Sequence, residues 1–216
     1  MNVHSGLVMA VAAEITLPSL DARSVEILAG IRRAFEEKGF DGASMQDLAR
    51  AAGMSVGNFY RYFPSKAAIV EAFITHDLVE VESEFAAVQA SENPLDQLRI
   101  ALERKVRHGI CDGDDGKLWA EIQAAAQRKP EIRAISLRME ELILRHLTHA
   151  FALATGLSAE EAFKRYQAQA RLMILLMKGL AMQTPDPADR DPALMNLVLR
   201  TLNRTLDEIA SDAAKG

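Results

Sequence analysis

Apolar residues recur along this chain at three- and four-residue intervals, the spacing that gathers one face of a helix. Ile27, Leu28, Ile31 and Phe35 predict a helix from about Asp21 to Lys38, ended by Gly39, with Phe40 as the plug before the next element. Met45, Leu48, Ala49 and Ala52 then fall at i, i+3, i+4 and i+7, one stripe of a much shorter helix. Ser44 is placed to cap it, and Asp47 three residues on completes an aspartate version of the capping box. Gly53 supplies the left-handed residue that stops it, Ser55 can cap a second short helix with Phe59 turned inward, and Pro64 ends that one. Two short helices meeting through a glycine turn predict a helix-turn-helix.

Longer helices follow. Ile69, Phe73, Val81, Phe85 and Val88 mark one from Pro64-Ser65 to about Ala90, and Asn93-Pro94 opens another that reaches about Ile110. Glycines and aspartates make residues 109–117 a loop. Helices are then expected over Leu118–Gln127 and from about Pro130 to Ala154, the latter on a spine of Ile135, Leu142, Ile143 and Leu147. Gly156 closes it, and Ser158 with Glu161 forms a capping box for a helix to about Met182. That helix is apolar nearly all round through Leu172, Met173, Ile174, Leu175, Leu176 and Met177, so it must be covered on more than one side. After a loop over 183–191, Asp191 caps a last helix with Pro192 at its first position and a stripe of Leu194, Leu197, Val198, Leu202, Leu206 and Ile209. The expectation is an all-α chain: a mobile N-terminal arm over residues 1–20, a helix-turn-helix head over 21–66, and a helical body over 67–216.

Charge sharpens the reading of the head. The chain carries a net −5, which argues against indiscriminate coating of nucleic acid. Residues 21–70 nevertheless hold seven Lys/Arg against six Asp/Glu, and no acidic residue occurs between Leu48 and Val70. Arg50, Arg61 and Lys66 therefore make a focused basic patch. The second helix of a helix-turn-helix is shaped for the DNA major groove. On it Asn58 and Arg61 carry the amide and guanidinium groups that read base edges, and Gly57 lets the backbone come close. Tyr60, Tyr62 and Lys66 suit phosphates, Ser44 and Ser55 stand at helix N-termini, and Val56 completes the DNA-facing set.

Other chemistry is sparse. Cys111 is alone and surrounded by aspartates, so neither a disulfide nor an activated thiol is expected. Asp112, Asp114 and Asp115 lack the rest of a calcium loop. His146 and His149, with Glu140 or His108, are candidates for a zinc set, but the spacing specifies no further ligand, and no metal or cofactor is expected. Phosphate loops, nucleophile elbows and zinc-protease patterns are absent. The opening residues lack the basic start of a signal peptide, and the apolar run Leu172–Met182 is too short to span a bilayer, so a cytoplasmic protein without membrane contact is expected.

The run GMSVGNFYRYFPSK, Gly53 to Lys66, resembles the hallmark of the TetR/AcrR family of one-component transcriptional regulators, and ILAGIRRAFEEKGFDGASM, Ile27 to Met45, continues the likeness. The glycine, serine, tyrosine, phenylalanine and lysine all fall at that family's spacing. LWAEIQAAAQRKPEI, Leu118 to Ile132, resembles its ligand-domain helices. The resemblance implies a homodimer, paired through the last two helices, on a near-palindromic double-stranded DNA operator, most simply as a repressor released by a small molecule. Dimer contacts would come from Leu172, Leu175, Leu176, Leu194, Leu197, Val198 and Leu202. Phe85, Trp119, Met139, Met173 and Met177 are the expected effector walls, and the scarcity of basic residues in the apolar stretches favours an apolar or amphipathic effector. The competing classes are a helical enzyme, which the scattered carboxylates support poorly, and an interaction module with a vestigial head.

Overall fold

A computed structural model of the chain describes residues 22–108, 115–183 and 191–213. The N-terminal arm, Cys111, Asp112, Asp114 and the loop residues 184–190 lie outside the described residues. Among the described residues are nine helices and no strand, as the periodicity predicts. They are α1 (Ala22–Gly42), α2 (Met45–Ala51), α3 (Val56–Tyr62), α4 (Lys66–Ala90), α5 (Pro94–His108), α6 (Asp115–Arg128), α7 (Pro130–Thr155), α8 (Ala159–Gln183) and α9 (Pro192–Ala213).

The boundaries depart from expectation in two places. α1 does not stop at Lys38: it breaks at Gly39, with φ 72° and ψ 162°, and resumes for a last turn to Gly42. Only glycine takes that backbone geometry cheaply. The break drops Phe40 into the core, where its ring stacks on Phe35 at 5.2 Å. α6 begins at Asp115, so Asp115, Gly116 and Lys117 are helical rather than part of a loop.

Caps explain most other ends. The Ser44–Asp47 box is complete in both directions, and Ser55 Oγ accepts the Asn58 N–H. The Ser158–Glu161 box forms as well, and Gly156 closes α7 in the left-handed conformation. Asp191 Oδ1 accepts the Ala193 N–H at the start of α9.

The buried residues form two clusters. One joins α1, α2 and α3 to the first half of α4, to α6 and to the start of α7, through Ile31, Phe35, Leu48, Phe59, Phe73, Ile122 and Ile132. The other fills the body between α4's second half, α5, α7, α8 and α9. The head's hydrophobic core thus continues past residue 66 into the body. The stripe on α9 faces this second core: Val198 and Leu202 are only 7% and 1% exposed, so they pack within their own chain and are not free for a partner. A three-to-four period shows that a helix has an apolar face, but not whose core that face enters.

Gly30 sets how closely α1 approaches α2. A Cβ there would lie 2.4 Å from the Ala51 carbonyl oxygen, a backbone atom that cannot swing aside. Gly30→Ala should therefore lower stability by about 1–3 kcal/mol through overpacking. A thermal melt would show it, and an unchanged melting temperature would mean that α2 moves away freely.

Candidate nucleic-acid interface and effector cavity

α3 is seven residues long and buries one large side chain, Phe59, whose ring lies 5.3 Å from that of Phe63. This anchor turns Val56, Gly57, Asn58, Tyr60, Arg61 and Tyr62 outward, and all six are exposed. Nothing lies within 4 Å of where a Gly57 Cβ would sit. The whole expected reading face is presented together. Its serines are exposed too, though each is committed to a cap, Ser44 with Asp47 and Ser55 with Asn58.

The basic residues divide. Arg61 and Arg50 remain on the surface, Arg50 with a loose contact to Asp47 at 3.6 Å. Lys66 is drawn inward. Its Nζ donates to the carbonyls of Phe40 at 2.6 Å and Asp41 at 3.1 Å, and lies 5.3 Å from the centre of the Phe40 ring. Burial pushes its ammonium below the ordinary lysine value. Two of its three donors are thereby used in holding the end of α1, so its side chain has a structural task beside any phosphate contact. Lys38, on the outer side of α1, is held by Asp47 at 2.5 Å, and Arg32 lies over the Phe73 ring at 5.7 Å. The Lys38 hydrogen bond, and then those from Ser44, keep the Asp47 carboxyl well below the usual carboxylate range.

The same corner of α1 is gripped from the body. Glu121 of α6 accepts the Phe40 N–H at 2.7 Å. A Cβ on Gly39 would lie 3.3 Å from that carboxylate. Arg128 and Lys129, where α6 gives way to α7, pair with Asp41 at 2.7 and 3.1 Å and hold its carboxyl below the ordinary value. In the sequence Glu121 is one of several scattered carboxylates. Nothing local signals a partner 81 residues away.

Between the two cores lies a cavity of about 200 Å³ walled by α4, α5, α6, α7 and α8. Phe85, Trp119, Met139, Met173 and Met177, the five residues expected as effector walls, all line it. Sequence reasoning missed the polar contributions of Asp77, Glu80, Gln123 and Ser136. Lys178, a basic residue within the apolar run of α8, pairs with Glu140 at 3.0 Å on the cavity wall.

Residues 27–73 match the sequence model described as "Bacterial regulatory proteins, tetR family". The same region carries the presented α3 face. The chain belongs to the TetR family of transcriptional regulators.

Among this TetR-family regulator's relatives, the HTH-type transcriptional regulator EthR of Mycolicibacterium smegmatis is 37% identical over 93 residues. That match covers 43% of this chain and only 40% of EthR. The HTH-type transcriptional regulator BetI of Pseudomonas aeruginosa is 27% identical over 178 residues, which is 80% of this chain and 87% of BetI. Among solved structures, Salmonella enterica GusR superposes with a TM-score of 0.68 at 24% identity, over 88% of this chain and all of GusR. AibR, solved with isovaleryl coenzyme A and operator DNA, gives 0.59 at 19% identity, over 83% and 97% of the two chains. At such identities these structures show a shared fold.

The candidate zinc histidines have other surroundings. The His146 ring stacks on Phe85 at 4.9 Å, and Glu140 is engaged by Lys178. No group of three or more metal-ligating side chains assembles among the described residues. Burial, and next the charge of His149, push His146 below the ordinary value of 6.5. The unfolded chain therefore takes up a proton that the fold resists, so the stabilisation is complete above 6.5 and is lost as pH falls toward the depressed value. Between about pH 7.5 and 5.5 the wild type should lose melting temperature relative to His146→Leu. A difference that stays constant across that range would show that His146 is not the source.

Proposed function

We propose that this TetR-family regulator is a ligand-responsive repressor that binds a near-palindromic operator as a homodimer and is released when a small molecule fills the cavity. The observation that carries this reading is the double engagement of α6. Trp119 and Gln123, one turn apart, line the cavity, while Glu121, on the other side of the helix, holds the corner of α1 that braces the head. A molecule wedged against Trp119 cannot shift α6 without moving the Phe40 N–H. AibR, whose crystals hold isovaleryl coenzyme A together with operator DNA, supports a fold in which both kinds of partner are bound.

Dimerisation is proposed through α8 and α9. Leu175 is 67% and Leu197 52% exposed, Leu172 is also exposed, and Leu176 and Leu194 are half-buried. A single chain leaves these side chains in water, and a second copy would cover them. Two α3 helices would then address half-sites about 34–36 Å apart, or a multiple of that spacing. Among the described residues no helix is long and apolar enough to cross a membrane, and the site of action proposed is the cytoplasm.

A gel shift on the DNA flanking the gene tests the head. Arg61→Ala or Asn58→Ala should cost about 1–3 kcal/mol and relax preference at one base position. Tyr60→Phe with Tyr62→Phe should weaken every duplex alike and flatten the salt dependence. Lys66→Ala is a poor substitute in that experiment, because it also releases the end of α1. A monomer in sedimentation that binds no flanking duplex would end the repressor reading.

Coupling is tested separately with Glu121→Ala. Family-type coupling of about 1–3 kcal/mol corresponds to a several-fold to hundredfold loss of operator affinity on effector binding. The variant should still bind operator, somewhat more weakly because the α1 corner is loosened, and still bind effector, while losing most of that response. If it responds like the wild type, α6 is not the link.

A further inference from the structure

The cavity's two ends differ. Phe85, Leu102, Leu147 and Met173 close the end that belongs to the body core. Trp119 and Met139 pack against the head core, and with them the lining includes Asp77, Gln123 and Ser136. Ser136 Oγ is buried without a hydrogen-bond partner, an expensive state for a hydroxyl. The charges are unequal as well. Asp77, Glu80, Glu84 and Glu140 line the cavity, against Lys105 and Lys178 alone. Both lysines are already engaged, Lys105 by Glu84 at 3.0 Å and Lys178 by Glu140 at 3.0 Å. Arg104 also pairs with Glu84.

Asp77 is differently placed. Its ion-pair partner is His76, 3.3 Å away on the same helix and a cation only when protonated, with Arg32 adding a longer-range positive field. Burial raises its carboxyl above the ordinary value, and the Glu80 charge pushes the same way. A carboxylate so desolvated is stabilised by a cation brought to it.

We infer that the effector is a small protonated amine: its ammonium meets Asp77, Gln123 and Ser136, and its hydrocarbon lies between Phe85 and Met173. This rests on the reading of the cavity as the effector site. The stereochemistry suits an ammonium, which offers donors where the carboxylate, the amide oxygen and the buried hydroxyl offer acceptors. Trp119 gives the cation an aromatic face. An anion would enter against Asp77 and Glu80, the two lining carboxylates that neither lysine neutralises, with no uncommitted lysine to receive it. The volume of about 200 Å³ lies below the ~300–1,000 Å³ typical of drug-sized ligands, so a short body fits best.

Trp119 is the chain's single tryptophan, so its fluorescence reports this cavity directly and needs no DNA. Three probes of matched length are titrated into the full chain near neutral pH: hexylamine, 1-hexanol and hexanoate. Hexylammonium should bind roughly tenfold or more tighter than either of the others. Asp77→Asn should remove most of that margin while changing hexanol affinity far less than hexylammonium affinity, and Glu80→Gln should reduce the margin less. The inference is overturned if hexanoate or hexanol matches the amine, if no probe perturbs Trp119, or if folded Asp77→Asn keeps the full amine preference. Should Asp77→Asn fail to fold, the three-probe comparison on the wild type decides alone. A chain that prefers hexylammonium yet binds no operator would defeat the repressor reading and leave this one standing. Operator binding with no amine preference would do the reverse.

Discussion

Three polar ties from the body meet on one short stretch of the head's backbone, residues 39–41. The break at Gly39 takes the Phe40 N–H out of the helical ladder, and the Glu121 carboxylate of α6 accepts it. The Phe40 carbonyl receives the Lys66 ammonium from the start of α4, and the Asp41 side chain receives Arg128 and Lys129. A charged acceptor on a backbone N–H, and an ammonium on a carbonyl, are stronger than neutral hydrogen bonds and strict about direction. The Asp41 pairs are exposed, and salt will screen them. The half-buried Lys66 and Glu121 bonds are less open to screening. Orientation of the head therefore depends on two polar bonds set over a hydrophobic joint, in which Phe40 stacks on Phe35.

How much of this could be read beforehand follows from distance along the chain. The head was almost entirely legible, because its determinants are local: Ser44 and Asp47 three residues apart, Gly53 at the turn, Phe59 as the inward residue of a short helix. The five cavity walls were also legible as large apolar or sulfur-bearing residues on helices expected to enclose something. Glu121 was not, since its partner is 81 residues away, nor was Arg99, whose partners Asn203 and Asp207 lie more than a hundred positions on. Lys66 shows the converse, a second task that its sequence position does not announce. Its position in a basic, acid-free stretch suggested phosphate, and only the folded corner reveals the two carbonyls that claim it.

The proposed dimer face depends on packing in a different way. Leu197 and Val198 are adjacent, so on a helix they point about 100° apart and cannot both face the same neighbour. The sequence alone offers both as apolar positions, and packing then assigns Val198 to its own chain and leaves Leu197 outside. α8 divides in the same way, with Met173 and Ile174 buried and Leu172 and Leu175 exposed. An all-round apolar helix has thus been resolved into a face with a partner and a face without one.

The polar end of the cavity and the corner at Phe40 are joined by α6, and this has a consequence for specificity. A helix transmits a push only if the ligand bears on it more firmly in one position of α6 than in another. Purely apolar filling would press on all five walls alike and discriminate weakly between positions of α6. A ligand held by Asp77 of α4 and Ser136 of α7 would be fixed on two helices that run from the head core into the body. Its contact with Trp119 and Gln123 would then be the compliant one. Polar groups at that end would thus do two things, selecting the effector and directing its strain onto the helix that holds Phe40. Were the same groups at the body end, beside Leu147 and Met173, a ligand could bind as tightly and leave the head undisturbed.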